Sequence, residues 1–134
     1  MRTFDYEHGG HLFLSKTAEE LLSKGVPQSA VDALVFAARQ DELRGECRLR
    51  IYSVASAEAQ MNIANSVAII ACKPASVRSA QDEATLAGAI AMSEWIAAMR
   101  AACAELAQDG ETDFSADAAW PEVPEDVVTL VARF

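Results

Sequence analysis

The sequence predicts a mainly α-helical protein, built as a long antiparallel αα-hairpin with a short N-terminal β-hairpin and a short C-terminal helix. Apolar residues recur at steps of three and four over most of the chain, which is the period of one helix face. The four prolines lie outside the central part of these stretches. A Gly-Gly pair between two short apolar segments is typical of a tight β-turn. At 134 residues, the chain is expected to form a single domain, 1–134.

Residues 1–15 are expected to form the β-hairpin. Phe4 and Tyr6 alternate with polar residues, and the turn at Gly9-Gly10 contains two glycines, which adopt positive φ angles without steric cost. An isolated hairpin is only marginally stable in water. We therefore expect it to pack on a helix or to pair with a partner strand.

A short helix is expected over residues 18–24. Thr17 and Glu20 have the spacing of a capping box, in which each side chain accepts a hydrogen bond from the backbone amide of the other residue. Gly25 suits the left-handed conformation that ends many helices. The next helix is expected to start at Ser29.

Residues 29–109 are expected to form the helical hairpin. Pro74 ends its first arm, Ser79 caps the second arm, and Gly110 stops it. Gly45 would bend or interrupt the first arm, at a cost of about 1 kcal/mol relative to alanine. The predicted apolar stripe of the first arm is Cys47, Ile51, Val54, Ala57, Met61, Ala64, Ala68 and Ala71, and that of the second arm is Leu86, Ala89, Met92, Ile96, Met99, Cys103 and Leu106.

Residues 111–134 are expected to form a polar connection, a rigid WPxxP segment and a final helix over 126–134. Pro124 suits the first position of that helix. Trp120, Pro121 and Pro124 have two interpretations. They either provide an anchor that binds a partner protein, or Trp120 packs in the protein's own core. The second is favoured because the apolar face of the final helix needs a surface to pack on.

The composition excludes some classes of function. A net charge of −9, from 20 acidic and 11 basic residues, argues against binding to nucleic acid, because the phosphate backbone requires a basic surface. Much of the apolar content is alanine, so the core is expected to be thin, and a protein partner or a homo-oligomer would add buried area. Neither a signal peptide nor a membrane span is evident, which predicts a cytoplasmic protein.

No catalytic or metal site is predicted. His8 and His11 flank the two glycines, and a zinc site would need a third protein ligand, so a hairpin turn is the favoured interpretation. Cys47, Cys72 and Cys103 all fall in apolar helical stretches and are expected to be small buried hydrophobes. No nucleophile motif and no phosphate-binding loop occurs, so we expect a protein that is not an enzyme and that uses no cofactor.

A single basic cluster stands out in the first arm. Arg44 and Arg48 share a helix face and would bind a carboxylate or phosphate of a partner. Glu42 and Glu46 alternate with these two arginines in sequence. Mutual neutralisation of these charges on a solvated helix is therefore the favoured interpretation.

The last ~50 residues resemble the C-terminal part of caudovirus tail-fibre assembly proteins. The resemblance is carried by a helix containing Trp95, an acidic stretch, and Trp120-Pro121-Glu122-Val123-Pro124. This resemblance implies a chaperone or accessory protein that binds a tail-fibre or tail-tip protein, with Trp95, Trp120, Pro121 and Pro124 as a structural signature. The chain departs from the family's pattern by a further helix after the WPxxP segment and by a longer helical N-terminal half.

Three functional hypotheses follow. The first is a phage or prophage tail accessory protein that acts by protein–protein binding. The second is an acidic inhibitor of host defence that mimics nucleic acid, which would need rows of exposed carboxylates, whereas a chaperone would need an exposed apolar patch. The third is a small helical ligand-binding protein with a cavity lined by Met61, Met92 or Met99.

Overall fold

The structure is a computed structural model that describes all residues from Met1 to Phe134. The fold is mostly helical, with a two-stranded antiparallel hairpin at the N-terminus, long helices and a short C-terminal helix, as the sequence predicts. Backbone contacts group the chain into two compact units, residues 1–42 and residues 43–134.

The first unit begins with strands β1 (Phe4–His8) and β2 (His11–Lys16). The turn between them is Gly9-Gly10, with φ angles of 58° and 76°, so the predicted glycine turn is confirmed. The strand pairing is irregular between Phe4 and Tyr6, and Ser15 opposite has a positive φ of 52°. The carboxylate of Asp5 accepts a 2.7 Å hydrogen bond from the Ser15 amide, which stabilises this bulge.

Helix α1 (Ala18–Ser23) follows the hairpin and has both predicted ends. Thr17 and Glu20 form the reciprocal capping box. At the other end, Gly25 is left-handed, and the Val26 amide donates to the Leu21 carbonyl over 3.1 Å. This pair of features is a Schellman motif, which places two apolar side chains in contact at the helix end. The capping-box and left-handed glycine predictions are therefore confirmed.

The core of the first unit is small. Leu21, Val26 and Val31 are its fully buried apolar residues. Partly buried side chains cover them: Phe4, Tyr6, Phe13, Ala18, Ala30 and Leu34. One face of the hairpin thus packs on the helices, as expected for a hairpin that is marginal by itself.

Helix α2 (Gln28–Val54) starts one residue earlier than predicted. The carbonyl of Pro27 accepts hydrogen bonds from the amides of Ala30 and Val31, so the chain turns into the helix at the proline and not at Ser29. Proline suits this position because its fixed φ is compatible with a helix start and its missing amide would be unpaired there anyway. Gly45 does not interrupt α2, which continues through it.

The second unit contains the end of α2 and three further helices. These are α3 (Ala57–Ala71), α4 (Ala80–Asp109) and α5 (Glu125–Val131). Short 3₁₀ turns occur at Ala75–Val77 and Asp117–Ala119. The core lies between these helices and includes Leu43, Cys47, Ile51, Ile63, Met92, Trp95, Met99, Leu106, Trp120, Val127 and Leu130.

The first arm of the predicted hairpin is broken, and the break falls at Ala55-Ser56 instead of at Gly45. Ser56 has extended backbone angles and accepts a 3.0 Å hydrogen bond from the Ala59 amide, so it is the N-cap of a new helix. The Gln60 side chain donates to the carbonyl of the buried Ala55 over 2.8 Å. These two side-chain bonds satisfy backbone groups that an unbroken helix would pair internally.

The apolar stripe predicted for α3 is wrong, because it follows a different face of the helix from the one that is buried. Ala57, Met61, Ala64, Ala68 and Ala71 are exposed, whereas Ala59, Ile63 and Ile70 are buried. Because α3 starts afresh at its own cap, its orientation is not set by the stripe of α2. Burial of isoleucines removes more apolar area from water than burial of alanines, which favours the observed face.

Helix α4 matches its prediction at both ends. Ser79 and Asp82 form a second capping box, and Gly110 ends the helix in a left-handed conformation with φ 73°. Lys73 lies 2.9 Å from the Asp82 carboxylate, which joins the end of α3 to the start of α4. This hydrogen bond, together with one from the Ser79 amide, lowers the pKa of Asp82. The predicted stripe of α4 is buried or half-buried throughout.

Helix α5 packs on α4 where α4 has a glycine. A Cβ on Gly88 would lie 3.1 Å from the Cβ of Leu130, so only glycine allows this approach without displacement. Arg133 donates to the hydroxyl of Thr85, the one buried polar residue of the core. The helix ends at Val131 instead of at residue 134, and Pro124 is its N-cap instead of its first helical residue.

The three cysteines differ in their environment. Cys47 is buried, Cys103 is half-buried and Cys72 is exposed, so the expectation that all three are buried is wrong for Cys72. Cys72 is the residue at which α3 ends, just beyond the buried Ile70. Burial, followed by the proximity of Cys103, raises the pKa of the Cys47 thiol.

Candidate protein-binding surface

The Trp120 side chain is a core residue. It is 6% exposed, and its indole Nε1 donates a 2.7 Å hydrogen bond to the carbonyl of Phe114. A tryptophan that anchors a partner needs an exposed ring, which Trp120 does not present. The favoured core interpretation is thus confirmed, and the predicted partner contact at Trp120 is not supported by its location.

The remainder of the WPxxP segment is tied to the same core. Pro121 is half-buried, and its carbonyl accepts a 3.5 Å hydrogen bond from the Nε1 of Trp95, which is 4% exposed. Pro124 is exposed at the start of α5. The two tryptophans and Pro121 therefore connect α4 to the C-terminal segment, whereas Pro124 faces solvent.

Arg50 belongs to the same basic cluster as Arg44 and Arg48, and it contacts the C-terminal segment, which the sequence does not predict. Its guanidinium carbon lies 5.5 Å from the centre of the Trp120 ring. It also contacts Glu46 over 2.7 Å, Asp117 over 2.8 Å and the Ser115 carbonyl over 2.9 Å. The hydrogen bond to Asp117, followed by those to Glu46, raises the pKa of Arg50. Asp117 is almost fully exposed, so water screens that ion pair, and the buried ring of Trp120 is the better-protected partner.

The side of α2 opposite the core of the second unit is apolar and exposed. Leu49 is 65% exposed and Tyr52 is 48% exposed. Helix periodicity places them on one side with Gly45, whereas Leu43, Cys47 and Ile51 face the core. We call the surface formed by Arg44, Gly45, Arg48, Leu49 and Tyr52 the Leu49 face.

The two arginines that the sequence analysis selected border this surface. Arg44 and Arg48 are both exposed and lie one turn apart along one edge of the Leu49 face. The opposite edge carries Glu46 and Ser53, and both have partners within the helix, in Arg50 and in the Arg50 carbonyl. The surface is therefore basic along one edge and apolar along its centre.

Gly45 provides the centre of the Leu49 face with an open strip of backbone. A Cβ added at this glycine would have no heavy atom within 4 Å. Glycine inside a helix costs about 1 kcal/mol relative to alanine, and no contact within the protein accounts for it at this position. Gly88 differs in this respect, because Leu130 occupies the space beside it.

The negative charge is concentrated near the C-terminus. Between Arg100 and Arg133 the chain has no lysine or arginine. Eight acidic residues lie in this interval and all are exposed: Glu105, Asp109, Glu111, Asp113, Asp117, Glu122, Glu125 and Asp126. Most of the net charge of −9 is thus located in this acidic segment, 105–126.

Other candidate sites have less support. No group of three or more histidine, cysteine or acidic residues has a geometry that could hold a metal ion. Met61 is exposed on α3, whereas Met92 and Met99 are buried. A shallow open depression lies between α4 and the 3₁₀ turn before Trp120, and Glu105 and Asp109 are among its lining residues.

Single exposed apolar side chains also occur on other elements. Leu12 and Leu14 lie on the outer side of the hairpin, and Ile69 and Ile90 are exposed on α3 and α4. Isolated apolar residues of this kind are normal on protein surfaces. The Leu49 face differs because two large apolar side chains, an open glycine and two arginines share one helix side.

Comparisons with known proteins provide no assignment. No protein-family model matches the chain, and a comparison with curated proteins finds no match. Helix α4 is long and apolar enough to cross a membrane by length and composition, which is weak evidence, because core helices of soluble proteins share these properties.

Proposed function

We propose that this protein is a phage or prophage tail-associated accessory protein, which acts by binding another protein through the Leu49 face and not by catalysis. The observation that carries the binding proposal is the exposure of Leu49 and Tyr52 beside Gly45, on the side of α2 opposite the buried Leu43, Cys47 and Ile51. Exposed contiguous apolar surface marks protein interaction sites.

The tail assignment is supported by the resemblance of the C-terminal region. The residues of that resemblance, Trp95, Trp120, Pro121 and Pro124, belong to one connected arrangement of α4, the WPxxP segment and α5. We infer that this arrangement serves as the rigid support, while the partner binds on α2. The proposed partner is a tail-fibre or tail-tip protein.

The proposal is tested by affinity purification from cells that produce tail particles. The tagged full chain is captured, and the proteins that bind it are identified by mass spectrometry. We expect enrichment of a tail-fibre or tail-tip protein, and its loss with the double variant Leu49→Glu, Tyr52→Glu. The control is Ile69→Glu, because Ile69 has a similar exposure of 66% on another helix. Absence of any tail protein from the captured set would contradict the tail assignment.

A second candidate function is mimicry of nucleic acid, which the acidic segment favours. A dense row of carboxylates attracts proteins that normally bind phosphates. Replacement of Glu105, Asp109, Asp113 and Asp117 by their amides tests this function. If a captured DNA-binding protein were lost with these amide variants and retained with the Leu49→Glu, Tyr52→Glu variant, mimicry would be the better assignment.

A further inference from the structure

We propose that the Leu49 face binds an α-helix of another protein that carries small residues in its contact stripe and carboxylates along one edge. This inference rests on the proposed function, since it specifies the chemistry of the partner. It is drawn from three properties of α2: the open glycine, the apolar pair and the basic edge.

The open glycine indicates a close approach of the partner backbone. Gly45, Leu49 and Tyr52 follow each other at steps of four and three, so they form a stripe about two turns long. A helix crossing this stripe would have its backbone nearest to Gly45, where no side chain keeps it away. Small residues at such crossings allow closer packing of two helices. Leu49 and Tyr52 would then cover the partner's apolar stripe from one end.

The basic edge specifies the charge of the partner. Arg44 and Arg48 are placed one turn apart beside the stripe, and both are exposed. Guanidinium groups bind carboxylates with good geometry, including bidentate pairs. A partner helix with glutamates or aspartates along the facing edge would therefore fit, and one with lysines would be repelled.

A second copy of this chain fits less well. In an antiparallel pair of α2 helices, the edges with Arg44 and Arg48 would face each other and repel. In a parallel pair, the arginines would face the edge that carries Glu46, whose carboxylate is already bound by Arg50 at 2.7 Å. The charges thus favour a different protein as the partner.

The test uses two synthetic amphipathic peptides of 18 residues with the same leucine and alanine stripe. One has glutamates along its edge, and the other has lysines. Tyr52 of the full chain is replaced by p-benzoylphenylalanine, so that the yield of light-induced cross-links reports only on peptide bound at the Leu49 face. Binding of the lysine peptide to the acidic segment does not contribute to this yield.

We expect the glutamate peptide to give a yield at least about threefold higher than the lysine peptide, as two exposed charge pairs would provide. This preference is opposite to that expected from the net charge of −9 alone. The double variant Arg44→Glu, Arg48→Glu should reverse the preference. An equal yield for both peptides, or no reversal, would overturn the proposed partner chemistry.

Gly45 and Gly88 both lie inside helices, and their alanine variants together test whether the partner backbone approaches Gly45 closely. Gly45→Ala should raise the melting temperature by a few degrees, because alanine favours the helix and nothing obstructs its methyl group. The same change should lower the cross-link yield of the glutamate peptide severalfold. Gly88→Ala should lower the melting temperature, because its Cβ would press on Leu130, and should leave the yield unchanged. An unchanged yield in Gly45→Ala would overturn the close approach.

The two proposals fail in different ways. If the peptide experiment fails while a tail protein is still captured from cells through the Leu49 face, the partner chemistry is wrong and the proposed function stands. If the glutamate peptide binds as expected while no tail protein is captured, the binding surface is correct and the tail assignment is wrong.

Discussion

The guanidinium group of Arg50 lies over the ring of Trp120, 5.5 Å from its centre, and donates to the Ser115 carbonyl in the loop before that tryptophan. This relationship joins the last turns of α2 to the C-terminal segment, more than sixty residues later in the chain. It also explains how a loop with acidic residues can lie against the helical core, since Arg50 offsets part of their charge.

Replacement of Arg50 by methionine is expected to destabilise the second unit. Arg50→Met keeps an apolar stem over Trp120 and removes the hydrogen bonds to the Ser115 carbonyl and to Asp117. We expect a loss of about 1–2 kcal/mol in the free energy of unfolding, measured by urea titration, because two hydrogen bonds of a charged group are lost and both face competition from water. The control is Arg48→Met, on the exposed edge, which should change stability by less than ~0.5 kcal/mol. Equal effects of the two variants would contradict a structural role of Arg50.

Removal of the Trp120 side chain is expected to cost about 3–5 kcal/mol of folding stability, the usual range for a buried aromatic residue changed to alanine. Trp120→Phe retains most of the bulk and loses the 2.7 Å hydrogen bond to the Phe114 carbonyl, so its cost should be about 1–3 kcal/mol. Melting followed by circular dichroism measures both. A cooperative melt of Trp120→Ala within a degree or two of the parent would show that the ring does not stabilise the core.

The orientation of α3 is tested by neighbouring positions. Ile63 is 1% exposed, so Ile63→Ala should destabilise the protein by about 2–5 kcal/mol. Ala64 is exposed, so Ala64→Trp should change stability by less than ~0.5 kcal/mol, whereas the stripe predicted from sequence would have made this change strongly destabilising. Chemical denaturation compares the two. If Ala64→Trp were the more harmful change, the buried face of α3 would be the one predicted from sequence.

The capping box of α4 predicts a pH dependence of stability. Since the hydrogen bonds to Lys73 and Ser79 lower the pKa of folded Asp82, the folded protein binds fewer protons there than the unfolded chain does. The stability from Asp82 is therefore present above its unfolded pKa of roughly 4, and it is lost as the pH falls through the lower folded value.

Asp82→Asn should consequently be less stable than the parent at neutral pH, and the difference should vanish in strong acid. Thermal melts from pH 7 to pH 2 measure this difference. Glu122→Gln, which also removes one exposed charge but lies outside any capping box, is the control and should show no such convergence. A difference for Asp82→Asn that stays constant down to pH 2 would rule out the charge as its cause.

Features that depend on a few neighbouring residues were predictable from sequence. The hairpin turn at Gly9-Gly10, the capping boxes at Thr17 and Ser79, and the stops at Gly25 and Gly110 were all predicted correctly. Each results from local hydrogen bonds and from the φ angles that glycine accepts, so a short sequence window contains the whole cause. The stripe of α4 was also predictable, because its apolar residues recur over about six turns without interruption.

The break between α2 and α3 had a weaker local signal. Ser56 with Glu58 and Gln60 resembles a helix start, but the same residues are tolerated inside helices. Once the break was missed, the stripe of α3 was carried over from α2 in the wrong phase, and Ala64 was assigned to the core instead of Ile63. Likewise, the sequence does not indicate that backbone contacts divide the chain near Glu42, inside a continuous helix.

For the candidate site, the sequence by itself determined the residue types: two arginines one turn apart, a glycine inside a helix, and a rigid segment with Trp120. Only the tertiary structure decided which of these are accessible. It buried Trp120 under Arg50 and left Leu49 and Tyr52 in solvent, although all are large apolar side chains that favour burial. Helix periodicity defines the faces of α2, but which face is covered depends on where α4 and the C-terminal segment pack. That packing is set by contacts between residues far apart in sequence, such as Arg50 with Ser115 and Gly88 with Leu130.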